Sequence, residues 1–324
     1  MEVVVLSHAE VRELLPVNEC IDVMEQALID LTSGAVWHPL RTVMRPPEEP
    51  SLMGIMAAHR SAPAADYGIK VVCIFPGNRA KGLESHFGTV TLFDGETGAP
   101  LAIVDAGAVT AIRTAAVSAV ATRALARAGA TRLAILGAGI QARAHLEALA
   151  AVRPFASARI WGRTEAHARS VAEEVDVPFP VEVAPSAREA VADADVVATT
   201  TASPEPIVAY EWLAPGAHIN AVGSSIPSAR EIDAATMAAA ALFADRRESF
   251  YAEAGDYLLA VNEIGPREVR GELGEVLTGM AEGRHDDEEL TLFKSLGLAA
   301  EDLAAVEHLY HRATETGAGQ RVEL

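Results

Sequence analysis

Between Leu133 and Ala142 the chain reads Leu-Ala-Ile-Leu-Gly-Ala-Gly-Ile-Gln-Ala. Gly137, Gly139 and Ala142 thus fall in the spacing G-x-G-x-x-A between an apolar run and a helical one. Glycines at those places let the backbone turn tightly and approach a pyrophosphate. The helix that follows offers unpaired N–H groups and the positive end of its dipole to the anion. The bare spacing is common, but its place between a strand and a helix makes it a dinucleotide-binding turn. At the end of the next strand, where an acid would take the adenosine ribose, the residues are Ile160-Trp161-Gly162-Arg163-Thr164. Arg163 suits a 2′-phosphate and Thr164 can hydrogen-bond one, so NADP(H) is the expected coenzyme. Glu165, one residue on, keeps NAD(H) open.

A second set of residues suits an acid substrate. Lys70 is flanked by Ile69, Val71 and Val72 in an apolar run, where an unpaired ammonium is costly to bury, so it needs an anion or an edge position. Arg41 and Arg113 are further cations whose planar forks match a carboxylate. In Glu84-Ser85-His86, after a turn at Gly82, His86 is a candidate for proton transfer. His59, His218, His285, His308 and His311 show no metal-ligand spacing, and no metal site is expected. The run Asp286-Asp287-Glu288-Glu289 reads as a solvated helix start. Cys20 and Cys73 lack a C-x-x-C spacing and read as two buried thiols.

These residues need elements to hold them. The first 110 or so residues read as a small α+β unit. A helix runs from Val17 to about Thr32, and strands follow at Leu52–Met56, Ile69–Phe75, Thr89–Phe93 and Leu101–Val104. Asp94-Gly95-Glu96-Thr97-Gly98 joins the last two as a hairpin. From Val109 to about Ala128 an alanine-rich run without Gly or Pro predicts one long helix, with Arg113 in its first turn. Beyond it strands and helices alternate, with strands at Leu133–Leu136, Ala158–Trp161, Val196–Thr199, His218–Val222 and Ala241–Ala244. That order predicts a doubly wound parallel sheet, a Rossmann domain. Its strand ends at Thr199-Thr200-Thr201 and Ala221-Val222-Gly223-Ser224-Ser225 are expected to line the coenzyme crevice. An amphipathic helix from Glu301 to about Thr316 is expected to return to the first domain. The expected fold class is therefore α/β, a Rossmann domain over residues 113–300 and a smaller α+β domain from residues 1–112 and 301–324.

The 324 residues, half of them hydrophobic, suffice for two domains, and the formal net charge of −19 argues against nucleic-acid partners. No basic, apolar leader opens the chain and no run of about 20 apolar residues occurs, so a soluble, cytoplasmic protein without a membrane partner is expected.

Taken together, five blocks resemble the ornithine cyclodeaminase/mu-crystallin family: Pro39–Val43, Arg113–Ala119, Gly137–Ala142, Pro215–Gly223 and Phe293–Gly297. The resemblance implies a homodimer whose first domain binds substrate and pairs with its twin. It implies that Arg41, Lys70 and Arg113 hold a substrate carboxylate and that Leu296 touches the substrate. Ser85, Arg113, Thr114, Ile140, Gln141, Thr200, Ala221, Val222 and Ser295 are the implied coenzyme contacts, beside the motif glycines.

One departure bears on the subclass. Where cyclodeaminases carry an aspartate this chain has Ser225, and a hydroxyl cannot act as a carboxylate base at neutral pH. Ala229 stands where they place a lysine. The serine resembles the mu-crystallin side of the family, and the missing acid at the end of the second strand points the same way. They imply NAD(P)H-dependent reduction of a small α-imino or cyclic ketimine carboxylate, with Lys70, Arg113 and Ser225 as the catalytic set. The alternatives are an NAD-dependent cyclodeaminase or alanine-type dehydrogenase, and a protein that binds NADPH and a small ligand without turnover.

Overall fold

Alternation of apolar residues along residues 52–105 builds a sheet with one buried face, and the computed structural model describes it together with the rest of residues 2–62 and 65–324, the side chain of Arg79 excepted. The chain divides into two compact units, one of residues 1–113 and 298–324, the other of residues 114–297.

In the first unit the strands are β1 (Glu2–Leu6), β2 (Val36–Trp37), β3 (Thr42–Met44), β4 (Leu52–Arg60), β5 (Asp66–Ile74), β6 (His86–Asp94) and β7 (Pro100–Asp105). Strands β4 to β7 form an antiparallel meander, β1 runs parallel to β7, and the chain's last strand, Gln320–Glu323, closes the edge against β1. Met56, Ala58 and Arg60 on β4 and Gly68 and Lys70 on β5 point to the buried face, beneath the helix Ala299–Thr316. Contact there is close, since a Cβ at Gly68 would lie 3.0 Å from Leu303 Cδ1. The strands outrun their predicted bounds because alternation continues through Ala58 and Arg60. At the β6–β7 hairpin the Asp94 carboxylate accepts the Thr97 N–H at 2.7 Å.

The long helix spans Ala106–Leu125. It begins earlier than predicted because the Asp105 carboxylate accepts the Ala108 N–H at 2.8 Å, which places Arg113 about two turns in and not in the first turn. It is long and apolar enough to cross a membrane, yet most of it is buried within the protein, as expected of a core helix.

In the second unit, β8 (Arg132–Leu136), β9 (Ser157–Trp161), β10 (Val181–Val183), β11 (Val196–Thr199), β12 (His218–Ala221), β13 (Ala241–Ala244), β14 (Gly271–Glu272) and β15 (Thr291–Lys294) lie in the order β10-β9-β8-β11-β12-β15-β13-β14, all parallel. This is a Rossmann-type α/β sheet. Strand order reverses between β8 and β11, so Leu136 and Thr199 end side by side at the switch point where such sheets bind ligands. The late strand β15 slots between β12 and β13, and all four of its residues are buried.

Two local expectations are corrected. Asp286–Glu289 forms a turn in which Asp286 accepts the N–H groups of Glu288 and Glu289, both at 2.9 Å, while Glu289 pairs with Arg270 at 2.6 Å. Cys20 is buried, but Cys73 is only half-buried, because it lies at the open end of β5.

Candidate active site

Lys70 finds its anion on the last helix. From the middle of β5 its Nζ lies 2.8 Å from Asp302 Oδ2 and donates to Thr110 Oγ1 at 3.3 Å. Arg113 meets the same acid, with Nε 3.1 Å from Asp302 Oδ1, and its Nη1 lies 2.7 Å from Glu301 Oε2. All four residues are at most 4% exposed. Glu301 and Asp302 sit in the first turn of the Ala299–Thr316 helix, where the positive end of the dipole favours acids. Burial lowers Lys70 to about 8, with Arg113 and Arg41 pressing the same way and Asp302 opposing. Burial works to raise Asp302, but Lys70 and Arg113 more than offset it and hold the carboxyl below its ordinary range. Arg41, half-buried ahead of β3, is thus close enough for its charge to act on Lys70. Asp302 thus serves two buried cations, and Glu301 one of them.

Sequence reasoning named the cations and missed both acids. Acids opening a helix have an ordinary local explanation, and the partnership with Lys70 spans 232 residues. Ser85, half-buried just before β6, pairs through Oγ with His86 Nδ1 at 2.9 Å.

The glycine turn of the second unit has the local geometry that a dinucleotide needs. Gly137 has φ 135°, a conformation that favours glycine, and a Cβ there would lie 2.2 Å from Thr200 Oγ1. Gly139 caps the helix Ile140–Val152 with no side-chain hydrogen bond, and a Cβ on it would meet nothing within 4 Å. A bare, open helix N-terminus lies beside a strand switch point. The side chain of Ile140 is exposed at the same turn. Ser295 Oγ, just past the end of β15, is buried with no hydrogen-bond partner among the described residues, as a group awaiting a ligand would be. The residues present fit the group.

Beside β9, Arg163 and Thr164 are exposed, Thr164 makes no side-chain cap for the following helix, and Glu165 is paired with Arg169 at 2.5 Å. Thr114 is buried in the long helix, and Gln141 accepts the Nδ1–H of buried His145 on its carbonyl at 2.7 Å. Ala221, the last residue of β12, and Val222 after it are buried, and Ser225 is half-buried. Leu296 packs into the core of the second unit, its N–H held at 2.6 Å by buried Asp245, which also takes the Gly297 N–H at 2.8 Å. A second group missed by sequence reasoning, Glu231, Asp256 and Lys294, is buried behind the ends of β11 and β12.

The family model of the ornithine cyclodeaminase/mu-crystallin family matches residues 1–317. The chain belongs to this family. Mouse ketimine reductase mu-crystallin (Mus musculus) is 41% identical over 309 residues, covering 94% of this chain and 96% of that protein. A structure of the Delta(1)-pyrroline-2-carboxylate reductase of Thermococcus litoralis, in complex with NADH and L-proline, superposes with a TM-score of 0.95 at 35% identity, covering 99% of this chain and all of the other. An archaeal alanine dehydrogenase, a dimer with bound NAD, gives 0.93 at 32% identity with both chains fully covered. The family member described here therefore aligns from end to end with reductases of C=N bonds, in agreement with the five sequence blocks.

Proposed function

We propose that this chain is an NAD(P)H-dependent reductase that converts the C=N bond of a small α-imino or cyclic ketimine carboxylate to the corresponding amino acid. The observation that carries this reading is the buried Lys70–Arg113–Glu301–Asp302 cluster. It brings two buried cations, Lys70 and Arg113, together, with Arg41 near enough for its charge to act on Lys70. These cations suit a substrate carboxylate, and seating it orients the C=N bond, a positional effect worth several kcal/mol, on the order of what effective molarities allow. The dinucleotide, when bound, supplies the hydride. Lys70, or a water held near Ser225, delivers the proton to nitrogen, and a Lys70 lowered to about 8 is well matched to giving one up near neutral pH. Ser225 in place of a carboxylate removes the base that amine elimination would need, which favours reduction over cyclodeamination.

NADP(H) is the preferred coenzyme in this reading. The exposed Arg163 suits a 2′-phosphate, while Glu165, the residue able to take a ribose hydroxyl, is engaged with Arg169. The reading includes a homodimer. The open face of the first sheet exposes Trp37, Tyr67 and Phe87 by half or more, and a second copy is the occupant in keeping with the dimeric alanine dehydrogenase.

Purified protein, NADPH or NADH, and pyrroline- or piperideine-2-carboxylate, followed at 340 nm, test the reaction. Oxidation faster with NADPH is expected. Ammonia release from ornithine with no imine reduction would refute the proposal, and so would tight coenzyme binding with no turnover of any imine.

A further inference from the structure

Parallel strands leave backbone N–H groups without partners where they end, and at β11 and β12 those groups converge on one buried acid. Glu231 Oε1 accepts the Thr201 N–H at 2.6 Å and the Thr201 hydroxyl at 2.7 Å. Oε2 accepts the Thr199 hydroxyl and the Gly223 N–H, both at 2.8 Å. A Cβ at Gly223 would lie 2.6 Å from Glu231 Oε1 and 2.0 Å from the Thr201 carbonyl, so this approach requires glycine. Glu231 is itself fixed from behind. Asp256 Oδ1 accepts the Glu231 N–H at 2.7 Å and the Ile232 N–H at 3.0 Å, and Asp256 Oδ2 lies 2.8 Å from Lys294 Nζ. Glu231, Asp256 and Lys294 are 0% exposed. Burial, then Asp256, raise the Glu231 carboxyl, against Lys294 and the two threonines.

A buried charged group is a poor means of stabilisation, because apolar residues of similar volume do as well or better. What this one does is geometric. Thr199 and Thr201 flank Thr200, whose hydroxyl donates to the Leu136 carbonyl at 3.2 Å and occupies the space that a side chain at Gly137 would take. Clamping the residues on both sides of Thr200 sets that hydroxyl against the glycine turn, and the bond to Gly223 ties the next strand's loop into the same frame.

We infer that Glu231 is a positioning residue for the dinucleotide: braced by Asp256 and Lys294, it holds the loops after β11 and β12 in the shape that receives the coenzyme. This rests on the reading of the second unit as a coenzyme site. The reaction chemistry lies elsewhere, so the inference predicts a defect in coenzyme affinity and not in the handling of imine.

The test is Glu231→Gln, with the dissociation constants of NADPH and NADH measured by fluorescence titration beside the melting temperature of the free protein. Each Glu231 oxygen accepts a backbone N–H, so either orientation of the amide sets an NH2 group against a donor. Both dissociation constants are expected to rise tenfold or more. The KM for imine at saturating coenzyme should stay within twofold. Thr199→Val removes one donor while keeping the shape, and a two- to fivefold weakening of both coenzymes is expected; this variant carries the test if the glutamine variant fails to fold. Unchanged coenzyme affinity in the folded variants, even with a lowered melting temperature, overturns the inference. Failure of the wild type to bind either coenzyme instead overturns the functional reading beneath it.

Discussion

Lys70 Nζ and Asp302 Oδ2 face each other at 2.8 Å, and neither side chain is more than 4% exposed. Asp302 also takes the Nε–H of Arg113, so one acid restrains two cations. Replacing it takes the carboxylate from both Lys70 and Arg113 in a low-dielectric setting. Asp302→Asn is expected to cost about 3–5 kcal/mol of stability, as breaking one side of a buried pair does. Denaturant unfolding of the variant measures this, and a loss under about 1 kcal/mol would show that the pair is not buried as described.

Lys70→Ala is expected to abolish imine reduction, by a thousandfold or more in kcat/KM, while NADPH affinity stays within threefold. The glycine turn and its supports belong to the second unit. Steady-state kinetics and coenzyme titration on the same preparation separate the two effects, and an active variant would refute the carboxylate role.

Lys70 also predicts a pH dependence. An ordinary lysine keeps its charge to about 10.5, but this one, lowered to about 8 by burial and then by Arg113, loses its charge as pH rises through that value. Affinity for a carboxylate ligand should therefore fall between pH 7 and 9. Inhibition constants of a saturated cyclic amino acid across that range test the point, and values flat to pH 9.5 would contradict it.

Arg163→Ala should reduce the ratio of NADPH to NADH efficiency at least tenfold and leave the melting temperature unmoved, since an exposed surface side chain contributes little to stability. An unchanged ratio would place the 2′-phosphate elsewhere or favour NADH.

Glu307 bears on stability alone. Burial raises Glu307 to about 7, with Arg60 opposing at 2.9 Å and Asp66 and Asp30 adding to the rise. Between its ordinary value and about 7 the folded chain holds a proton there that the unfolded chain has released. That contribution is full at low pH and lost as pH rises through 7. Glu307→Gln, which mimics the protonated form, should gain on the wild type between pH 5 and 7.5 in urea unfolding. A constant gap between the two proteins would contradict the assignment.

The glycine turn was legible because glycines at fixed offsets between an apolar run and a helix have few other uses. Lys70 was legible as a problem, a charge in an apolar strand, but its solution was not. Asp302 lies at the other end of the chain, and an acid in a first helical turn draws no notice by itself. Strand β15 escaped because four residues ending in lysine look too short and too polar for a strand buried on both faces. The structure buries that lysine by pairing it with Asp256. Glu231 escaped for the same reason as Asp302, since three of its four donors, on Thr199 and Thr201, lie 30 or more residues before it.

The helix that supplies Glu301 and Asp302, and the strand that pairs with β1, follow the whole second unit in the chain. During synthesis the nucleotide-binding half can therefore finish before the earlier half has the acids its buried cations require. A product cut short near residue 297 would keep a foldable Rossmann sheet but lack the counter-charges for Lys70 and Arg113. A premature stop at that point should yield a chain that retains nucleotide affinity and is cleared by proteolysis through its unfinished N-terminal half.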